Sequence, residues 1–511
     1  MTDNSTKVQP LGALADIVAT ARAAGKAVVL CHGVFDVLHV GHVRHLKAAK
    51  REGDVLVVTI TADKFVNKGP GRPAFPEHLR ADMLASLEVV DWVGINNNPS
   101  AETVIDLIKP SVYVKGSEYT DASQDVTGKI QVEQSAVERH GGRIAFTHDI
   151  TFSSSTLINR HLDILEPELR AFLAGMRENG AADRIFDLID KARDLTVTLI
   201  GDTIVDEYQY VSPMGKSSKE NMIATLFSHK ERFAGGILAT ANHLAAFCKQ
   251  VDLITTMSPE DIEEGFLTRN LKPNIKLHAI PVPGRPTTKK IRFIDPGYSL
   301  RKLFEVYHMD DSPLAPDLQA KVNGTLRQSI SAADLVIVND FGHGLIADST
   351  LQILMRESPF LAVNAQTNSG NHGYNLITRY TRADFICIDA PEARLAMADK
   401  FATPETLVGE LLPKRLDCPR FVVTWGAHGC YAVDSVAGID HIPAFTRSTI
   451  DTVGAGDAFF ALAAPLAAVG GAMQDVAFVG NAAGAVKVGI VGHRTSIEKL
   501  PLQKYLTALL K

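Results

Sequence analysis

Two short strings hold the residue types best suited to chemistry. The first is GVFDVLHVGH, Gly33 to His42. A glycine such as Gly33 or Gly41 lets the backbone approach a ligand closely. A helix beginning near Gly41 would offer unpaired N–H groups to an anion. His39 and His42 are three apart across that start, so both imidazoles can face one pocket. There they could donate to a phosphate and stabilise the charge that builds up in phosphoryl or nucleotidyl transfer. An HxxH spacing alone serves equally as a surface pair or as metal ligands. The second string is DTVGAGDAFF, Asp451 to Phe460. Its glycines open an apolar helix, so the amides of Gly454, Ala455, Gly456 and Asp457 form a candidate anion hole. Asp457, in the first turn, could take the proton of an attacking hydroxyl. An aspartate at a helix start is most often only a cap.

Both strings need elements to hold them. Residues 10–25 carry a helical stripe (Leu11, Leu14, Ile17, Val18, Ala21) closed by Gly25. AVVLCHGVF then reads as a buried parallel strand, HVRHLKAAKREG as a helix and VLVVTIT as a second strand. Such a strand–helix–strand unit of about thirty residues marks a parallel sheet. Further helix–strand pairs follow at 77–88 into DWVGI and 101–108 into SVYVKG, with RIAFTHDI as a last strand and SSTLINRHLDIL as a last helix. The first string thus falls at the carboxyl end of the first strand, where open α/β sheets bind ligands. A charged helical stretch over 164–190 reads as a connection. From DLTVTLIGD onward the alternation resumes through LVIVNDF, FLAVNAQ, FICID and RFVVTWG. No repeat of 20–50 residues recurs, which excludes a solenoid.

The bulk numbers narrow the class. With 511 residues, 46% apolar and 22% charged, the chain has the composition of an ordinary globular protein of several domains. A net charge of −6 argues against a general nucleic-acid binder. The five cysteines, Cys31, Cys248, Cys387, Cys418 and Cys430, have no CxxC spacing, so neither a zinc site nor a redox dithiol is expected. The N-terminus lacks a signal-peptide pattern, and no uninterrupted run reaches the roughly 18 apolar residues of a membrane span. These features point to a cytoplasmic protein.

The first string, extended as GVFDVLHVGHVRHLKAAKREGDVLVV, resembles the HxGH cytidylyltransferase-like nucleotidyltransferases, and the resemblance runs over nearly all of residues 10–163. KGPGRP and Arg80 look like that family's basic loop and arginine, VKGSEY like its VKGxDY segment, and FSSSTLI like its STTxI segment. The resemblance implies that a sugar 1-phosphate oxygen attacks the α-phosphorus of a nucleoside triphosphate and pyrophosphate leaves. His39 and His42 would hold the phosphates. Gly33, Phe35, Asp36 and Gly41 would line the nucleotide site, with Lys68, Arg72, Arg80 and Lys115 neutralising charge and Ser154, Ser155 and Thr156 contacting phosphate. For Lys68 and Arg72 the alternative is a solvated surface charge. Mg²⁺ is expected with the triphosphate. Ser154 and Ser155 stand where related heptose enzymes show threonines. An RTEG string is absent before the SSST segment, which argues against a glycerol-phosphate or choline-phosphate enzyme, but ATP and CTP both remain open.

The second string resembles the signature of the ribokinase-like carbohydrate kinases, with support over 195–500. By this resemblance GDTIVDEY places Asp202 and Asp206 near a sugar, and FAGGILATANHLA adds Gly235, Gly236 and Asn242. Lys290 and Arg292, in RPTTKKIRF, would meet a sugar phosphate. Thr424, Gly426 and Gly429 form a nucleotide turn, and Asn481 falls at an adenine-pocket position. The family's NxxE segment appears as DAPE: Asp389 replaces asparagine and Glu392 is kept, near ATP and a Mg²⁺ held through water. Asn364 replaces an acidic residue before a loop rich in Asn and Gly. Together the halves are similar to the bifunctional heptose-phosphate kinase/adenylyltransferases of ADP-heptose and lipopolysaccharide synthesis, in reversed order.

The expected architecture is therefore α/β throughout. A Rossmann-like nucleotidyltransferase domain is expected over 1–165, a helical linker over 166–190, and a ribokinase-like domain with a small β lid over 191–511. The lid, expected from 207–232 and 286–307, would pair two copies in a homo-oligomer. Another sugar, CTP in place of ATP, or one half serving as a sugar- or nucleotide-sensing module are the competing readings.

Overall fold

The computed structural model describes residues 4–66, 72–116, 129–147, 165–297, 300–446 and 449–511. It divides into two compact units, residues 1–174 with 503–511, and residues 175–502. The expected 166–190 connection is two helices, Pro167–Glu178 and Ala181–Ala192.

The first unit is built on a five-stranded sheet: β1 (Val28–Gly33), β2 (Val55–Thr61), β3 (Trp92–Asn96), β4 (Val112–Gly116) and β5 (Arg143–Thr147). The order is β3-β2-β1-β4-β5 and every pairing is parallel. Near-continuous apolar runs suit such strands, because helices cover both faces. Alternation sorts the side chains: Val29 and Cys31 pack with Leu46, Ala81 and Leu84 on one face, and Val28 and Leu30 with Leu14, Val104 and Ile105 on the other. The strand order reverses between β1 and β4. Such a switch point opens a crevice at the carboxyl ends, and the Val40–Lys50 helix follows β1 there. The expected helix over SSTLINRHLDIL lies almost wholly outside the described residues.

The second unit has a nine-stranded sheet and a four-stranded one. The larger runs β10-β9-β6-β13-β14-β15-β16-β17-β18. Its parallel strands are β6 (Thr196–Gly201), β9 (Gln250–Met257), β10 (Ile275–Pro281), β13 (Leu335–Asp340), β14 (Leu361–Ala365), β15 (Phe385–Asp389) and β16 (Arg420–Thr424). The strands β17 (Cys430–Asp434) and β18 (Gly438–Ile442) close one edge antiparallel. The smaller sheet is the expected lid, ordered β12-β11-β7-β8. It consists of β7 (Thr203–Lys216), β8 (Ile223–Gly236), β11 (Thr288–Asp295) and β12 (Arg301–His308). Met214, Ile223, Leu226, Phe227 and Phe304 of the lid are exposed. All five cysteines are free and buried. Among the described residues no helix is long and apolar enough to cross a membrane.

Candidate functional site

In the first unit the chemistry gathers at the β1–β4 crevice. His39 is the N-cap of the Val40–Lys50 helix, and its Nδ1 accepts the Gly41 N–H at 3.1 Å. Its Nε2 is buried with no hydrogen-bond partner among the described residues. Burial lowers its basicity and so favours the neutral ring, a hydrogen-bonding group rather than a fixed charge. The His39 and His42 rings lie 3.9 Å apart, with Phe35 5.2 Å from His42. The helix start therefore brings both imidazoles to one place, as the spacing predicts. Gly33 lies under the Phe35 ring, which a Cβ there would meet at 3.2 Å.

Arg80 and Arg72 are placed differently from the expectation. Arg80 is fully buried, and it donates to Phe75 O at 2.9 Å, Thr61 O at 2.8 Å, Asp63 Oδ1 at 2.6 Å and Val34 O. With four of its five N–H donors spent, it ties the ends of β1 and β2 together instead of presenting a free charge. Arg72 is likewise buried and donates to Asp36 Oδ2 at 3.2 Å, and Asp36 also accepts the Ala74 N–H. Asp36 thus holds residues 72–74 in place. Lys115 pairs with Glu133 at 2.7 Å, at the mouth of β4. Lys68, Ser154, Ser155 and Thr156 lie outside the described residues. Sequence reasoning passed over His45, whose Nδ1 is 2.7 Å from Thr147 Oγ1 at the end of β5. Its signal was the 39, 42, 45 spacing along one helix face.

In the second unit, Gly454 caps the Ala455–Ala468 helix in a left-handed conformation, φ +76°. A Cβ there would meet the His493 ring at 2.4 Å, so glycine is required twice over. Asp457, in the first turn, is buried. Its Oδ1 accepts from Gln366 Nε2 at 2.8 Å and Asn339 Nδ2 at 3.4 Å. Oδ2 has no hydrogen bond among the described residues. Burial raises its pKa, with the charge of His493 opposing. A buried aspartate oriented through one oxygen and left open at the other is suited to accept a hydroxyl proton.

Beside it the lid supplies the expected sugar-facing groups. Asp206 pairs with Arg292 and lies 3.4 Å from His493 Nε2. Burial opposes its charge, but His493 and Arg292 together hold its carboxyl well below the usual range. Arg292 also reaches Glu305 at 3.2 Å. Lys290, buried above the Tyr307 ring, sits two residues earlier on β11. Gly235 is forced, since a Cβ would meet Asp206 Oδ2 at 2.0 Å. Gly236 has φ +52°. Asn242 does not join the group: its side chain bonds Asn270 O and Lys272 N, fixing a loop end. Thr240, on the same helix, faces the site through Asn339 at 2.9 Å. Lys289 and Ile291 point to the other face of β11, and with Thr287 they line an open cavity of about 550 Å³ that contains none of the groups around Asp457.

Asp202 is buried where the His343 N–H donates to it at 3.2 Å. Burial, with the nearby Asp340 carboxylate adding to it, pushes its pKa up to about 7. Raised above the ordinary 3.8, this group favours the folded state most at low pH. That contribution erodes above pH 3.8 and is gone once the pH passes about 7. Asp202→Asn is expected to flatten the fall in melting temperature across that window, as read by thermal unfolding at several pH values. An unchanged profile would remove Asp202 as its source.

The expected nucleotide side is ordered by β15 and β16. Asp389 caps the Ala390–Met397 helix, with its Oδ1 accepting the Glu392 N–H at 2.7 Å while Glu392 returns to the Asp389 N–H. Glu392 also accepts Thr367 N at 2.9 Å. Burial, then the charge of Asp389, raises Glu392 to about 8. Thr424 ends β16. Gly426 and Gly429 both have positive φ, and a Cβ on Gly429 would meet Ile442 O at 2.0 Å. Asn481 donates to Pro443 O at 2.7 Å. Asn364 bonds Cys387 O and Gln366. The loop after it is laid on the 340–342 turn by Asn368, Asn371 and Asn375, each donating to a backbone carbonyl there.

Residues 195–500, more than half of the chain, match the pfkB family of carbohydrate kinases. The chain belongs to that family. Residues 30–161 match the cytidylyltransferase-like family, in accord with the first unit's parallel sheet and its histidines. Placed before the pfkB segment, this match gives the reversed order that the sequence implied. The protein called bifunctional protein HldE in Geobacter metallireducens is 38% identical over 172 residues, 33% of this chain and 32% of that one. HldE of Syntrophotalea carbinolica is 37% identical over 164 residues, 32% of each chain. The alignments span about a third of the length of these relatives. A ribokinase from Thermotoga maritima superposes with a TM-score of 0.49 at 17% identity, over 61% of this chain and 99% of its own.

Within the pfkB unit, sequence reasoning missed Asn339, Gln366 and His493, which surround Asp457 and Asp206. Each ends or follows an apolar segment with other polar residues beside it, which is a weak signal. Lys487 left a stronger one: a single lysine inside AAGAVKVGIVG.

Proposed function

We propose that the chain carries out two consecutive reactions of activated-sugar synthesis. In the second unit, Asp457 Oδ2 takes the proton of the anomeric hydroxyl of a sugar phosphate, heptose 7-phosphate by default, and that oxygen attacks the γ-phosphorus of ATP. The amides of Gly454, Ala455 and Gly456 receive the charge of the transferring group. Asp206, with Lys290 and Arg292, holds the sugar phosphate, and Asp202, Gly235 and Gly236 shape its pocket. Thr424, Gly426, Gly429 and Asn481 seat the nucleotide. Mg²⁺ arrives with the triphosphate. Asp389 and Glu392 are oxygen donors of the type it takes, and Glu392 would hold it through water.

In the first unit, a sugar 1-phosphate oxygen attacks the α-phosphorus of ATP, pyrophosphate leaves, and ADP-heptose is the product. His39, His42 and the helix start carry the phosphates, with Gly33, Gly41, Lys68, Lys115, Ser154, Ser155 and Thr156 around them. Phe35 buttresses His42. Arg72, Arg80 and Asp36 support the walls.

The observation that carries this reading is the oriented base at Asp457 in the same chain as paired histidines at a helix start. It acts in the cytoplasm as a homo-oligomer, the exposed apolar residues of the lid meeting a second copy. The test supplies Mg²⁺, ATP and a panel of sugar phosphates, then a sugar 1-phosphate with ATP or CTP and pyrophosphatase, and follows products by mass spectrometry. A heptose bisphosphate and ADP-heptose support it. A second reading keeps both reactions and changes the sugar. It is favoured by Asn364 and the amide-rich loop at the 340–342 turn, and it gains if another sugar phosphate alone turns over. A CDP-sugar as the product would put CTP in the place of ATP in the second step. No turnover at all would leave a sensing module.

A further inference from the structure

Lys487 is a fully buried lysine that the proposed mechanism leaves unused. It is the last residue of the Met473–Lys487 helix. Its Nζ donates to Val453 O at 2.6 Å and to Gly492 O at 2.7 Å, and no carboxylate lies within ion-pair distance among the described residues. Burying an ammonium costs several kcal/mol unless its surroundings compensate. Here the compensation is two backbone carbonyls and the nearby Asp451, whose carboxylate accepts the Gly492 and Val453 N–H groups. Carbonyl oxygens drawn from two separate turns around one charge are ligands of the kind a monovalent cation takes, here with the cation tethered to the chain.

Both carbonyls belong to the phosphoryl-transfer site. Val453 immediately precedes Gly454, whose amide opens the anion hole. Gly492 immediately precedes His493, which lies against both Gly454 and Asp206. Holding the two oxygens on Nζ fixes the Val453–Gly454 and Gly492–His493 peptides, whose amides point opposite to those carbonyls. It also fixes one positive charge beneath a site where three negative ATP phosphates must settle.

We propose that Lys487 is a positioning residue that serves as a built-in monovalent cation for the phosphoryl-transfer turn. This rests on the kinase reading above. The natural protein should then work equally well in sodium, potassium, ammonium or choline chloride. Lys487→Met should lower kcat roughly a hundredfold with the KM for sugar phosphate nearly unchanged. Lys487→Ala leaves both a space and the carbonyls, so potassium or ammonium should restore part of its kcat while choline at equal ionic strength does not.

A second measurement is independent of turnover: potassium or ammonium should raise the melting temperature of Lys487→Ala above its value in choline, with no such difference in the natural protein. Full activity in Lys487→Met, a natural protein that itself needs potassium, or an alanine variant blind to the choice of cation would each overturn the proposal. If the natural protein phosphorylates no sugar, the kinase reading fails, and the melting comparison still decides whether Lys487 replaces a cation.

Discussion

Asp457→Asn is expected to lower kcat for sugar phosphorylation about a thousandfold and to leave nucleotidyl transfer unchanged. Positioned general bases contribute roughly 10²–10⁴ to rate, and the asparagine keeps the size of the side chain while losing the proton acceptor. The hydrogen bonds argue for the upper part of that range. Gln366 and Asn339 both donate to Oδ1, so the carboxylate is oriented before substrate arrives, and burial brings its proton affinity closer to that of a hydroxyl. An amide can present its oxygen to Gln366, so the variant should fold and bind substrates with near-normal KM. The check is steady-state kinetics of both half-reactions on one preparation. Activity within tenfold of the natural enzyme would mean that another group takes the proton.

His42→Ala should produce the complementary result, a loss of roughly a hundredfold or more in nucleotidyl transfer with phosphorylation intact. His39 is the poorer probe, because its Nδ1 also caps the helix and its removal costs about 1 kcal/mol of stability by that route alone. His42 lies inside the first turn, its ring tilted against those of His39 and Phe35. Its loss opens the pocket without removing the cap. Pyrophosphate release from ATP and a sugar 1-phosphate, measured beside kinase activity, checks it. Equal loss of both activities would indicate a folding defect instead.

The strands were legible because parallel strands buried on both faces need unbroken apolar runs, and VLVVTIT and FICID are such runs. The helix starts at Val40 and Ala455 were legible because glycine and capping chemistry mark them locally. The fate of an arginine was not. Arg80 and Arg72 have the composition of a phosphate loop, yet each is buried among acceptors brought from elsewhere in the chain, Val34 and Thr61 for the one, Asp36 for the other. Asn242 misled for the same reason: its partners are Asn270 and Lys272, about thirty residues away. Local pattern names a residue's possible chemistry, while burial among distant segments decides its use. His493 and Lys487 were passed over in the same way, since their partners at Asp206 and Val453 come together only in the fold.

The amide-rich loop after Asn364 bears on how this enzyme can change over generations. Gly454, Gly429 and Gly235 are each locked by an atom that a single methyl group would strike, so drift at these positions is closed. The loop is fastened differently. Asn368, Asn371 and Asn375 reach backbone carbonyls of the 340–342 turn, and a carbonyl accepts from any donor of suitable length. Gln366 alone links the segment to Asp457. The loop's side chains can therefore be exchanged for other donors with the groups around Asp457 left in place.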